Sequence, residues 1–250
     1  VDNIIHSNLK DVLKHTHGLG FIDFVKIEGN VIKGISEDKA VVVRGKLKDT
    51  ISDLEGHKVG MSNMSVLKGL LDFPPFQEAD SDILISCEND KKGESYPRNV
   101  VFTSGYSHKA QYTFMSATNA DNKVRVPKLD NIKFDISFQP SRKNLKDLSY
   151  FNGVLGSLHK TFKVTMVGGK LDFVIGDENS TQSIIPIEDG LMGILKAEMI
   201  FPLSYVLSVL KLADTSQCEI SFSDKRGMKI QIDSGIGEYV YYFPTRKRSS

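Results

Sequence analysis

Two histidines one residue apart, His15 and His17, could form half of a metal site. A zinc site wants three or four ligands, and no carboxylate or cysteine cluster stands near the pair in sequence. The stretch lies at the end of an apolar-periodic segment, where histidines are favourable partners of a helix C-terminus. Gly45-Lys46 and Gly169-Lys170 begin like phosphate-binding loops, but Leu follows each lysine where a hydroxyl residue is needed. Gly18-Leu19-Gly20 and Gly235-Ile236-Gly237 lack the third glycine and the strand-to-helix setting of a dinucleotide site. They read as a helix stop and a hairpin turn. The acidic pairs Asp177-Glu178 and Glu188-Asp189 fall in turns, where solvation accounts for them. No catalytic residue, metal or cofactor is therefore expected, and the chain reads as a protein without enzymatic activity.

The informative charges are basic and periodic. His6, Lys10, Lys14 and His17 recur at spacings of four, four and three, one face of a helix. Arg142, Lys143 and Lys146 crowd the start of a second helical segment, where the dipole disfavours cations, so another reason for them is needed. Ser65 with Lys68, and Ser204 and Ser208 with Lys211, put small hydroxyls and a long cation on two further segments. Such faces suit phosphates, because Lys and Arg attract nucleic acid without regard to sequence by releasing condensed counterions. Asp11 and Asp147 are rotated about 100° from the adjacent lysines and need not share the basic face. The aromatic platforms of a single-strand binder are missing from these faces.

The elements that position these residues come in two similar sets. Asn8-Leu9-Lys10-Asp11 returns as Asn144-Leu145-Lys146-Asp147, 136 residues later, and Ser65-Val66-Leu67-Lys68 returns as Ser208-Val209-Leu210-Lys211, 143 residues later. The order and the similar offsets point to internal duplication. Each half reads as helix, strands, helix, strands. In the first, Ile5, Leu9, Val12 and Leu13 form a helical stripe, followed by strands over 21–27, 31–35 and 40–43. A helix capped by Ser62 buries Leu67, Leu70 and Leu71 before Pro74-Pro75, and strands over 83–87, 100–103 and 111–115 close the half. In the second, a strand with Phe134, Ile136 and Phe138 precedes a helix capped by Ser141 that carries Leu145, Leu148 and Leu155. Strands over 162–167, 171–175, 184–187 and 196–200 follow, with Gly168-Gly169 as a turn. Pro202 opens a helix with Leu203, Val206, Leu207, Leu210 and Ala213 on one side. Strands over 219–223, 228–232 and 239–243 finish it, with turns over 224–227 and 233–237. Residues 117–123 have coil composition. The expected domains are 1–117 and 132–250, with 118–131 as connector, and the class is α+β. Cys87 and Cys218 fall in corresponding strands and read as small core residues.

Composition sets outer bounds. The chain has 250 residues, 40% hydrophobic and 25% charged, with a formal net charge of +1, so a nucleic-acid role must come from local placement of charge. No run reaches the length of a membrane span, the first residues show no secretory signal, and two cysteines make no disulfide scaffold. A reducing, cytoplasmic setting is expected.

The duplicated layout resembles the DNA polymerase sliding clamps, the processivity factors that include proliferating cell nuclear antigen and the clamps of T-even-type phages. The resemblance spans the whole chain as layout and is closest from Phe201-Pro202-Leu203 through Leu212-Ala213-Asp214 to Tyr241-Tyr242-Phe243-Pro244. Gly235-Ile236-Gly237-Glu238-Tyr239-Val240-Tyr241-Tyr242 looks like a clamp's closing strands, and the length and divergent detail fit phage clamps better. The resemblance implies the processivity-clamp fold: two similar domains per chain and a homotrimeric ring closed head to tail, with sheets outside and helices lining the hole. It implies a non-catalytic tether that encircles double-stranded DNA in the cytoplasm, that of the host for a phage protein. Lys10, Lys14, Lys68, Arg142, Lys143, Lys146 and Lys211 would line the channel. DNA polymerase and clamp loader would dock short hydrophobic peptides in a pocket between domains, for which Leu129, Met228, Tyr242, Phe243 and Pro244 are candidates. Two other readings are a monomeric accessory protein with an open basic groove and an enzyme whose site is assembled from distant residues.

Overall fold

The computed structural model describes residues 4–105, 107–127, 129, 132–179, 181–195, 198–213, 217–224 and 227–245. Parts of several expectations lie outside them: residues 1–3, connector positions 128, 130 and 131, the strand start at 196–197, Asp214, the turn at 225–226 and the tail from 246. The chain divides into two compact units. The first is Val1–Glu37, Val43–Val126 and Ser234–Tyr239; the second is Asp38–Val42, Pro127–Asp233 and Val240–Ser250.

The first unit runs α1 (Ile4–Lys14), β1 (Val25–Glu28), β2 (Val31–Ile35), β3 (Val42–Leu47, all but its first residue), β4 (Lys58–Met61) and α2 (Met64–Leu71). It continues with β5 (Asp82–Asn89), β6 (Ser95–Thr103), β7 (Lys109–Thr113) and α3 (Ala117–Lys123). Its strands pair in the orders β4-β1-β2-β3 and β5-β6-β7. Gly60 of β4 joins the two by exchanging backbone hydrogen bonds with Met115 at 2.9 and 2.7 Å.

The second unit runs β8 (Ile136–Phe138), α4 (Arg142–Leu155), β9 (Thr161–Val167), β10 (Lys170–Gly176), β11 (Gln182–Glu188) and β12 (Met199–Pro202). Then come α5 (Leu203–Leu210), β13 (Cys218–Ser223), β14 (Gly227–Asp233) and β15 (Gly237–Pro244), whose first three residues belong to the first unit. Its orders are β11-β10-β9-β12 and β15-β14-β13-β8. The first order is that of β3-β2-β1-β4, so the duplication expected from the sequence is present as topology. Among the described strands only β8 has no counterpart.

Local chemistry explains the helices. α1 buries Leu9, Val12 and Leu13 and ends at Lys14, and the short 3-10 turn that follows, His17–Leu19, is closed by Gly20 at a left-handed φ of 81°. α4 starts with a capping box: Ser141 Oγ accepts from Asn144 N–H at 3.1 Å, and Asn144 Oδ1 accepts from Ser141 N–H at 2.8 Å. α2 departs from expectation, because Ser62 does not cap it. Asn63 holds the N-cap position in a left-handed conformation, and the Ser62 main chain is held by Tyr112, whose hydroxyl accepts from Ser62 N–H at 3.1 Å and donates to its carbonyl at 2.6 Å. Burial pushes the Tyr112 phenol up to about 12, so it stays a donor at neutral pH.

Residues 117–123, expected as coil, form α3. Ser116 caps it, Ala120 and Val124 are buried, and Asp121 pairs with Lys26 at 2.7 Å and Lys58 at 3.0 Å. Gly60 fits closely beneath it, since a Cβ there would lie 2.8 Å from that of Ala120. Tertiary docking overrides a weakly helical sequence. Cys218 is buried, but Cys87 is exposed. A register shift between Ser86 and Cys87 in β5 breaks the alternation that would have turned Cys87 inward.

The two cores differ. The second unit packs Phe162 against Phe173 with centroids 4.6 Å apart and continues through Phe201, Phe222 and Phe138. The first holds a buried polar group. Asp11 Oδ2 accepts from the Tyr239 and Ser234 hydroxyls, each at 2.8 Å, and the His15 ring stacks on Tyr239 at 4.0 Å.

Candidate nucleic-acid interface

In the first unit α1 packs against α2, and His6 Nε2 lies 3.1 Å from the Leu71 carbonyl at the end of α2. Lys10, Lys14 and Lys68 are exposed. Asp72, at the C-cap of α2, stands between two of them, 3.0 Å from Lys10 Nζ and 2.7 Å from Lys68 Nζ. Hydrogen bonds from Lys68 and then Lys10 hold its carboxyl below the usual carboxylate range. Lys14 makes no ion pair among the described residues.

In the second unit α4 packs against α5, and Arg142, Lys143, Lys146 and Lys211 are exposed. Lys143 Nζ lies 2.7 Å from Asp147, one turn on. That contact stabilises a cation placed against the dipole of the first turn. Lys146 and Lys211 make no ion pair among the described residues. Asp72 thus meets Lys10 and Lys68 in the first unit, and Asp147 meets Lys143 in the second.

Two expectations about charge need correction. Asp11 is off the basic face because it is buried at 7% exposure, whereas Asp147 shares that face with Lys143. Asp72 was missed altogether. Its spacing of four from Lys68 is legible in the sequence, but its contact with Lys10 crosses between helices. The view of the histidines as charged partners of a helix end fails for His15. The ring is fully buried, and burial, followed by nearby Lys14, pushes its imidazole down to about 3. It is neutral at physiological pH. Among the described residues no group of three or more metal-ligating side chains exists.

The candidates for partner contact lie in the second unit. Met228 and Phe243 are 1% exposed, Leu129 and Tyr242 are half-buried, and Pro244 is exposed. Phe134, not singled out as a site residue from the sequence, lies 6.4 Å from the Tyr242 ring, with Lys229 Nζ 5.0 Å over its own ring.

With this geometry in hand, likeness to solved structures is informative. The chain is similar over 98% of its length to a chain of the PCNA2–PCNA3 complex from Sulfolobus tokodaii, at 17% identity and a TM-score of 0.60, covering 97% of that chain. It is similar over 98% to a chain of the structure of the C-terminal region of FEN-1 bound to A. fulgidus PCNA, at 10% identity and 0.64, covering 97%. Proliferating cellular nuclear antigen from Entamoeba histolytica gives 11% identity and 0.62, with 98% and 96% of the two chains covered. The fold is that of the sliding clamps. No family model matches the sequence, and no curated protein does. The clamp fold thus covers 98% of the chain and takes in both units. Among the described residues no helix is long and apolar enough to cross a membrane.

Proposed function

We infer that this chain is a subunit of a DNA sliding clamp: a non-catalytic ring of three copies that encircles duplex DNA and tethers a replicative polymerase. The observation that carries the reading is the pairing of a full-length clamp fold with exposed cations on α1, α2, α4 and the end of α5. In this reading Lys10, Lys14, Lys68, Arg142, Lys143, Lys146 and Lys211 face the phosphate backbone. The domains are 1–117 and 132–250, joined by 118–131, and the source is a phage acting in its host's cytoplasm.

Ring closure is assigned to the strand edges β7 and β11, each the end of its sheet. Tyr150 and Val154 on α4, with Leu158 just beyond it, are 67%, 53% and 70% exposed, an apolar flank that suits a buried subunit contact. Polymerase and loader peptides are assigned to Leu129, Tyr242 and Pro244, with Met228 and Phe243 supporting them from the core. The test is to load the protein on nicked circular DNA, raise the salt, and then linearise the circle. Retention through high salt followed by release on linearisation is the expected result, with a trimer in native mass spectrometry. A monomer that washes off the circle with salt would establish an open-groove binder instead.

A further inference from the structure

Asp72 stands where its helix disfavours it, at the negative end of the α2 dipole. Lys68 and Lys10 hold it there, and both keep more than half of their side chains exposed, 59% and 52%. A DNA phosphate and Asp72 therefore compete for the same two ammonium groups. Exposed ion pairs are worth only ~0–1 kcal/mol, so the lysines can pass between carboxylate and phosphate at little cost. Resting on the reading of this face as the DNA-facing one, we propose that Asp72 competes with phosphate for Lys10 and Lys68 and so limits the electrostatic grip of the first unit, and the ring slides instead of sticking.

The physical logic is that a topologically closed ring needs no tight phosphate contact to stay on DNA. Each lysine left free to displace a counterion strengthens the sequence-independent attraction and slows movement from one phosphate to the next. In the second unit Lys143 pairs with Asp147 at 2.7 Å within a single helix. Asp72 is different because it engages two lysines from two helices.

The experiment measures binding of the full chain to a short fluorescein-labelled duplex by anisotropy across a salt titration. Asp72→Asn should steepen the plot of log affinity against log salt by about one, and raise affinity at the low-salt end about threefold. Asp72→Ala should behave the same way, which separates lost charge from any contact made by the new amide. Loaded on end-blocked DNA, the Asp72→Asn ring should diffuse more slowly than the parent. If Lys10→Gln with Lys68→Gln weakens binding while Asp72→Asn leaves it unchanged, the carboxylate is idle and the proposal falls, with the face still meeting DNA. If none of these substitutions changes affinity or slope, α1 and α2 do not face DNA, and both the proposal and this part of the clamp reading fall.

Discussion

One tetrapeptide occurs in both units and meets two fates. Asn8 and Asn144 are both buried and do the same work: Asn8 donates to the Asp49 carbonyl just past β3, and Asn144 donates to the Pro186 and Ile187 carbonyls of β11, the counterpart of β3. Lys10 and Lys146 are both exposed. The aspartates diverge, since Asp11 is sunk among Ser234, Tyr239 and His15 whereas Asp147 lies on the surface against Lys143. One layout can be secured by a polar tie in one unit and by a cluster of packed phenylalanine rings in the other.

The largest expected effect tests the aromatic half of that contrast. Phe162→Ala should destabilise the protein by about 3–5 kcal/mol in urea unfolding, because it removes a fully buried ring touching Phe173 and Phe201. Asp11→Ala should cost about 1–3 kcal/mol, since the buried Tyr239 hydroxyl loses this acceptor while the half-buried Ser234 hydroxyl keeps the Gly237 carbonyl. Asp147→Ala should stay within the ~0–1 kcal/mol range of a surface pair; equal losses at the two aspartates would erase the distinction between units.

The polar tie also predicts a pH response. His15 is neutral when folded and takes up a proton near 6.5 when unfolded, so the unfolded chain binds more protons between about 3 and 6.5. Stability from this group is fully present above 6.5 and is lost as pH falls through that window, with a limiting slope of about 1.4 kcal/mol per pH unit. His15→Phe keeps an aromatic ring over Tyr239 and should remove that share of the slope, measured by urea midpoints across the window. The smallest change in stability, below about 0.5 kcal/mol, is expected for Lys14→Glu, Lys146→Glu and Lys211→Glu combined, since none of the three makes an ion pair among the described residues. Melting should be unaltered while polymerase extension products shorten, and full processivity would break the assignment of these helices to DNA.

The helices and most strands were legible because apolar spacing carried them, as in Leu9, Val12 and Leu13 or the alternation through β11. Short β4 was not, because Gly60 interrupts its pattern and pairing with β1 and Met115 specifies it. α3 was hidden because docking under Ala120 and Asp121 defines it more than propensity does, although Ser116 offered a capping signal. The second repeated tetrapeptide is a coincidence of letters. Ser65 is the second residue of α2 and Ser208 the sixth of α5, and Val66 is 54% exposed where Val209 is fully buried. The basic faces could be read from spacing, but the carboxylate crossing from α2 to Lys10 could not, because nothing local joins residues so far apart.

Asn144 has a mechanical consequence. Its side chain closes the cap of α4 with one end and grips the β11 carbonyls with the other, so the start of the helix, with Arg142 and Lys143 in its first turn and Lys146 just beyond, is hinged to that strand. On the clamp reading β11 is a seam of the ring. A displacement that parts the seam pulls on the same amide that seats those three cations, and the loosening of the gate and the loosening of the grip become one lever stroke.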